Sequence, residues 1–131
     1  MSLQQQQHGA IIDGVAANAA EASRTAVCLV KSASEIGFGI SLTWGAATAL
    51  TVQLFKSADD GNTYQRVPSL DILSGTGTAS DYTVSKAVTA TDTLWVDTGV
   101  GNATHVKIIV AATSGGAGDL ITVVACSSSW S

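Results

Sequence analysis

Few residues of this 131-residue chain have the types and spacing that catalysis needs. His8 and His105 are the candidate general bases, and no Gly-x-Ser-x-Gly turn supplies a serine nucleophile for either of them. Cys28 and Cys126 lack the closely spaced partners of a zinc site, and we expect both thiols to be reduced. The sequence therefore predicts a protein that is not an enzyme, with no catalytic residues, no cofactor and no metal site.

The most distinctive local pattern is a turn signature. The eight residues from Ser57 to Tyr64 read Ser-Ala-Asp-Asp-Gly-Asn-Thr-Tyr and resemble the Asp-box, a hairpin turn of sialidases and many other β proteins. We expect Asp59 to accept backbone N–H groups across the turn, Gly61 to adopt a positive φ, and Thr63 to begin the return strand. One copy in a short chain predicts a structural hairpin rather than a glycosidase. The weaker alternative is that this turn binds calcium. A single short loop supplies fewer oxygen ligands than the roughly six to eight that calcium usually takes.

The elements that must position these residues are β-strands. From residue 26 onward, apolar residues alternate with small polar ones, which is the pattern of half-buried strands. Turn clusters rich in Gly, Asn and Asp separate the strands, which are predicted at residues 26–31, 38–44, 50–54, 63–67, 81–84, 94–96, 106–110 and 120–126. About eight short strands with no helix between them predict an all-β antiparallel sandwich, of jelly-roll type. An immunoglobulin-like sandwich with about seven strands is the alternative.

The first 23 residues differ in composition from the rest of the chain. A run of four glutamines is followed by an alanine-rich stretch without a continuous apolar stripe. This pattern predicts an extended N-terminal arm over residues 1–23, followed by a sandwich domain over residues 24–131. Such segments usually order on a partner, so we expect Leu3, Ile11 and Ile12 to contact a neighbouring subunit.

The composition indicates a surface covered by neighbours. Charged residues make up 12% of the chain, and the mean hydropathy is +0.31. A small monomer normally covers its surface with charged side chains, so this composition predicts an oligomer. Trp95 alternates with Leu94 and Val96 and is therefore expected to point outward as an interface anchor. A net charge of −4 with six Lys and Arg argues against a nucleic-acid partner, and no apolar run approaches the length of a membrane helix.

Over residues 24–127 or so, the chain resembles the small structural proteins of tailed-bacteriophage virions. The resemblance rests on charge-poor strands, the hairpin that begins at Ser57, and the segment 93–99 leading into 105–110. Capsid decoration or cement proteins are the closest of these in size. The resemblance implies a β-sandwich that forms homo-oligomers, most simply trimers, and binds the major capsid protein. It also implies location in the virion, after assembly in the host cytoplasm.

Two other functions stay open on the sequence. A carbohydrate- or receptor-binding module of a phage tail would need several exposed aromatic residues with amide or acidic side chains on one face. A ring subunit of the tail or of a head-completion complex would differ only in the neighbours that it meets.

Overall fold

The computed structural model describes residues 3–31, 33–43, 45–67, 82–85 and 93–130. Within these ranges the chain is almost entirely β-structure, with one short 3₁₀ helix at Glu21–Arg24. The strands are β1 (Leu3–Ala16), β2 (Thr25–Leu29), β3 (Glu35–Leu42), β4 (Ala49–Ser57), β5 (Gln65–Val67), β6 (Tyr82–Ser85), β7 (Thr93–Gly99), β8 (His105–Thr113) and β9 (Leu120–Trp130). The predicted all-β class is confirmed.

The strands form two antiparallel sheets. The first has the order β1-β9-β3-β7, and the second has the order β2-β8-β4-β5, with β6 also paired to β4. The pairs are nested along the chain: β1 pairs with β9, β2 with β8 and β3 with β7, and successive pairs alternate between the sheets. A long antiparallel hairpin rolled up in this way is a jelly roll, so the prediction of that architecture is confirmed.

The core lies between the sheets and follows from the alternation along each strand. In β3, Ile36, Phe38, Ile40 and Leu42 are buried, and the residues between them face outward. The strands β4, β8 and β9 alternate in the same way. Burial of one such side chain contributes roughly 1.5–3 kcal/mol, so the two inner faces supply most of the stability of the domain.

The segment predicted to be an N-terminal arm is built into the sandwich instead. Residues 3–16 form β1, which pairs with β9 from Leu3 opposite Trp130 to Ala16 opposite Leu120. Ile12 is 3% exposed and belongs to the core, and Ile11 packs against that core. Ile12 therefore cannot contact a neighbouring subunit as predicted. Leu3 begins the strand, and its side chain lies outside what the structure describes.

The sequence conceals β1 because the strand is irregular. Its register against β9 shifts three times, between Gln7 and Gly9, between Ala10 and Ile12, and between Ile12 and Val15. Gly9 adopts a φ of 73°, a conformation that a residue with a side chain rarely takes. Each bulge interrupts the period-two alternation, so residues 3–16 show no strand pattern of their own.

Candidate functional site

The two histidines lie in different sheets, and so do the two cysteines. His8 Nε2 lies 3.0 Å from Ser127 Oγ, at the end of the first sheet, whereas His105 begins a strand of the second sheet. Both cysteines are free thiols, and burial raises the pKa of Cys28 to about 11, which keeps its thiol protonated near neutral pH. In the ranges that the structure describes, no three His, Cys, Asp or Glu side chains are grouped as metal ligands.

The hairpin between β4 and β5 is organised by one carboxylate. Asp59 Oδ1 accepts hydrogen bonds from the Ser57 hydroxyl at 2.7 Å and from the Thr63 N–H at 2.9 Å. Its Oδ2 accepts the Thr63 hydroxyl at 2.6 Å. Ser57 Oγ in turn accepts the N–H of Gly61, whose φ is 85°. The hydrogen bonds from Thr63 and Ser57 lower the pKa of Asp59 from 3.8 to about 2.

Replacing Asp59 by alanine should lower the melting temperature at pH 7 by about 3–6 °C and leave the oligomeric mass unchanged. The folded pKa lies below the unfolded one, so the stabilisation is fully present above about pH 4 and is lost as the pH falls towards 2. Thermal melts between about pH 2 and pH 6 should therefore show the melting temperatures of the wild type and Asp59→Ala converging at the acid end. Asp13→Ala, at an exposed carboxylate of β1, is the matched control; equal curves for wild type and Asp59→Ala would contradict the role of the hairpin.

A second carboxylate, which sequence reasoning missed, joins two loops at one end of the sandwich. Asp119 is 1% exposed. Its oxygens accept the backbone N–H groups of Gly116 at 2.8 Å and of Ala46 and Ala47 at 3.2 Å each, together with that of Gly45. These donors, with Gly116 first, lower the pKa of the Asp119 carboxyl. The available signal was the glycine-rich run that ends in this aspartate, which is typical of a turn capped by its side chain.

Trp95 lies on the outer face of the first sheet, where it is 50% exposed. Its indole lies flat across β3, and a Cβ atom placed on Gly37 would overlap the ring. The indole Nε1 donates a hydrogen bond of 3.0 Å to Asp97 Oδ2. Asp97 Oδ1 is buried and has no hydrogen-bond partner among the described residues. Trp95 thus points outward, as the alternation predicted, and its indole ring is held in one orientation.

We call this outer surface of the first sheet the acidic face. Gly39 pairs with both Trp95 and Val124, which places the two exposed side chains on either side of β3. Leu120 is exposed further along β9. Glu35 and Asp97 lie on the same face, because they alternate with the buried residues of β3 and β7. The acidic face therefore combines exposed apolar side chains with carboxylates.

The outer surface of the second sheet, which we call the basic face, has the opposite charge. Residue pairing aligns Val27, Lys107, Phe55 and Arg66 in one row across four strands. Lys107 Nζ lies 4.7 Å from the centre of the Phe55 ring and 4.4 Å from that of Tyr64, so two aromatic rings hold the ammonium group. Val27 and its neighbour along β2, Leu29, are about half exposed beside this row.

No protein-family model matches the chain, and no curated protein is similar to it in sequence. It is similar to the solved structure of the CBM51-2 and INT domains from Clostridium perfringens ZmpB, with 11% identity and a TM-score of 0.50. That alignment covers 80% of this chain and 20% of the other chain. The same ZmpB region in complex with GlcNAc aligns with 10% identity and a TM-score of 0.50, over the same shares of the two chains. At these identities the similarity concerns the fold, and the chain is a β-sandwich.

A prophage-derived protein is also among the structures that this chain is similar to. The SPBc2 prophage-derived protein YomS aligns with 16% identity over 98% of this chain and 94% of its own, with a TM-score of 0.48. In the part of the chain that the structure describes, no helix is long and apolar enough to cross a membrane.

Proposed function

We propose that this chain is a non-enzymatic structural protein of a tailed-phage virion, a capsid decoration or cement protein that forms a homo-oligomer. The observation that carries the proposal is the exposure of large apolar side chains on both outer faces. Five of them are between 43% and 55% exposed, namely Val27, Leu29, Trp95, Leu120 and Val124. Apolar groups clustered on a surface with few charges mark places where another protein docks.

The mode of contact differs from that of a flexible arm. Residues 3–16 are hydrogen-bonded into the first sheet, so they are already ordered within one subunit. The proposed contacts are therefore made by the rigid outer faces of the sandwich, which lose little conformational entropy when they associate. Rigid, preformed surfaces suit a protein whose task is to hold a shell together.

The proposed partners are other copies of the chain and the major capsid protein. The oligomer, most simply a trimer, belongs to the virion after assembly in the host cytoplasm, and neither nucleic acid nor a membrane takes part. The charge supports this assignment, since 6 basic residues against 10 acidic ones do not favour binding to phosphate groups.

A carbohydrate- or receptor-binding module is the second candidate function. It is favoured by the flat, half-exposed Trp95 indole with the Asp97 carboxylate at its edge. That function needs several aromatic side chains on one face, whereas Trp95 is the one aromatic residue whose side chain the structure describes on the acidic face. Titration with chitotriose, followed through the indole N–H signals in NMR spectra, tests it, and a Trp95 shift would favour this candidate.

Light scattering after size exclusion should show that the full chain has a mass of two or more times the 13.2 kDa of one subunit. Leu29→Glu places a negative charge in the proposed contact and should weaken self-association by about tenfold or more. Gln65→Glu is the matched control, because Gln65 is exposed on an edge strand at the opposite end of the same sheet. A full-length monomer that does not bind co-expressed major capsid protein of the same genome would contradict the proposal.

A further inference from the structure

The two sheets of the sandwich carry opposite charges. The strands of the first sheet contain three acidic residues and neither Lys nor Arg, and the acidic residues are Asp13, Glu35 and Asp97. The strands of the second sheet contain three basic residues and neither Asp nor Glu, and the basic residues are Lys56, Arg66 and Lys107. Lys56 lies on the inner side of β4, like Leu54, so Arg66 and Lys107 are the charges on the described outer surface of the second sheet, whereas that of the first sheet carries carboxylates.

We propose that copies of this chain associate front to back, with the acidic face of one copy docked on the basic face of the next. This inference rests on the proposed homo-oligomer and specifies its interface. Both faces carry exposed apolar side chains, so each offers apolar surface to bury together with charges of opposite sign.

The acidic face holds charges that one subunit does not neutralise. Asp97 Oδ1 is buried without a donor from the described residues, and Glu35 has no ion pair with any of them. On the basic face, Lys107 contacts aromatic rings and no described carboxylate. A cationic side chain from a second copy would pair with Glu35, which is partly exposed on this face.

Like charges disfavour the alternative in which two identical faces meet. A twofold contact between acidic faces would bring Glu35 and Asp97 of one copy against the same residues of the other copy. A contact between basic faces would oppose Lys107 and Arg66 in the same way. Juxtaposed like charges cost several kcal/mol at an interface, roughly. The charge pattern therefore favours a heterologous contact, in which two different surfaces meet.

The exposed apolar side chains of β2 and the Trp95 ring lie at opposite flanks of the sandwich as well as on opposite faces. Val27 and Leu29 are on β2, which contacts β1, whereas Trp95 is on β7, at the end of the first sheet furthest from β1. Successive copies docked front to back would thus be offset sideways from one another and overlap in part. Heterologous contacts close into rings when the rotation permits and otherwise continue as open chains. The same contact would serve a decoration oligomer or a ring subunit.

Charge reversal and mixing test this interface. Glu35→Lys and Lys107→Glu should each weaken self-association of the full chain by about tenfold or more, as measured by sedimentation velocity at low salt. An equimolar mixture of the two variants should form heterodimers, because the intact acidic face of Lys107→Glu can dock on the intact basic face of Glu35→Lys. Arg66→Glu replaces Lys107→Glu if loss of the aromatic contacts impairs folding, which thermal melts would reveal.

Glu21→Lys is the matched control, since Glu21 is exposed on the 3₁₀ helix, outside both faces. The oligomeric mass of this variant should equal that of the wild type. If the full chain is oligomeric and both reversals leave its mass unchanged, the front-to-back contact is wrong and the proposed homo-oligomer stands. If the single variants fail to assemble and their mixture also fails, the pairing of these two faces is wrong. A full chain that is monomeric at every salt concentration would contradict both proposals.

Discussion

Replacing Ile12 by alanine should destabilise the domain by about 2–5 kcal/mol. Ile12 is 3% exposed and packs in the core between the sheets, so the shorter side chain leaves a cavity. The effect is a large fraction of the stability of a typical domain, which is about 5–15 kcal/mol. Urea unfolding followed by circular dichroism measures it, and the slope of the transition should not change because the strand remains paired.

Leu29→Ala is the matched control for Ile12→Ala, because it removes a similar side chain from a position that is 55% exposed. Its unfolding free energy should stay within about 0.5 kcal/mol of the wild type when measured on the monomer at low concentration. Deletion of residues 1–16 should have the larger effect of preventing cooperative folding, since β9 would lose one of its two partner strands and the core would lose Ile12. A truncated chain that melts like the full one would show that β1 is dispensable and that an arm was the better description.

Replacing Asp119 by alanine should lower the melting temperature by on the order of 10 °C or more. The buried carboxylate accepts four backbone N–H groups from two loops, and its removal would leave these donors without their shared acceptor. Asp119→Asn keeps one acceptor oxygen, so its melting temperature should lie between those of the wild type and Asp119→Ala. Differential scanning fluorimetry at pH 7 measures all three.

Asp60→Asn is the control for Asp119→Ala, because it removes only an exposed salt bridge to Lys31 and keeps a side chain that tolerates the φ of 59° at this position. Such surface pairs contribute about 0–1 kcal/mol, so the melting temperature should change little. Limited proteolysis provides a second measurement, since residues 45–48 should be cut faster in Asp119→Ala alone. Equal cleavage of both variants would contradict the role of Asp119 as the link between the loops.

The predictable part of the fold was the part with regular alternation. In β3, β4 and β8, each core residue is followed by one that faces outward, and the period of two is visible in the sequence itself. Asp59 could likewise be assigned to a turn, because all of its partners lie within a few residues along the chain. Local patterns of this kind need no knowledge of the partner strands.

The pairing of β1 with β9 could not be predicted in the same way. Its bulges erase the alternation, and the strand that satisfies its backbone lies at the other end of the chain. The role of Asp119 was hidden for a similar reason, since Gly45, Ala46 and Ala47 are more than 70 residues away from it. Contacts at such separations leave no mark on local composition.

The sequence by itself therefore determined the all-β class, the strands with unbroken alternation, the turn at Asp59 and a composition poor in charge. The tertiary structure decided which residues share a face. Acidic and basic residues are interleaved along the chain, with Asp13 and Glu35 before Lys56 and Arg66, and Asp97 before Lys107. The nested pairing of the jelly roll sends alternate strand pairs to opposite sheets and so separates these charges in space. Such a separation depends on long-range strand pairing, which is a property of the folded chain rather than of any segment within it.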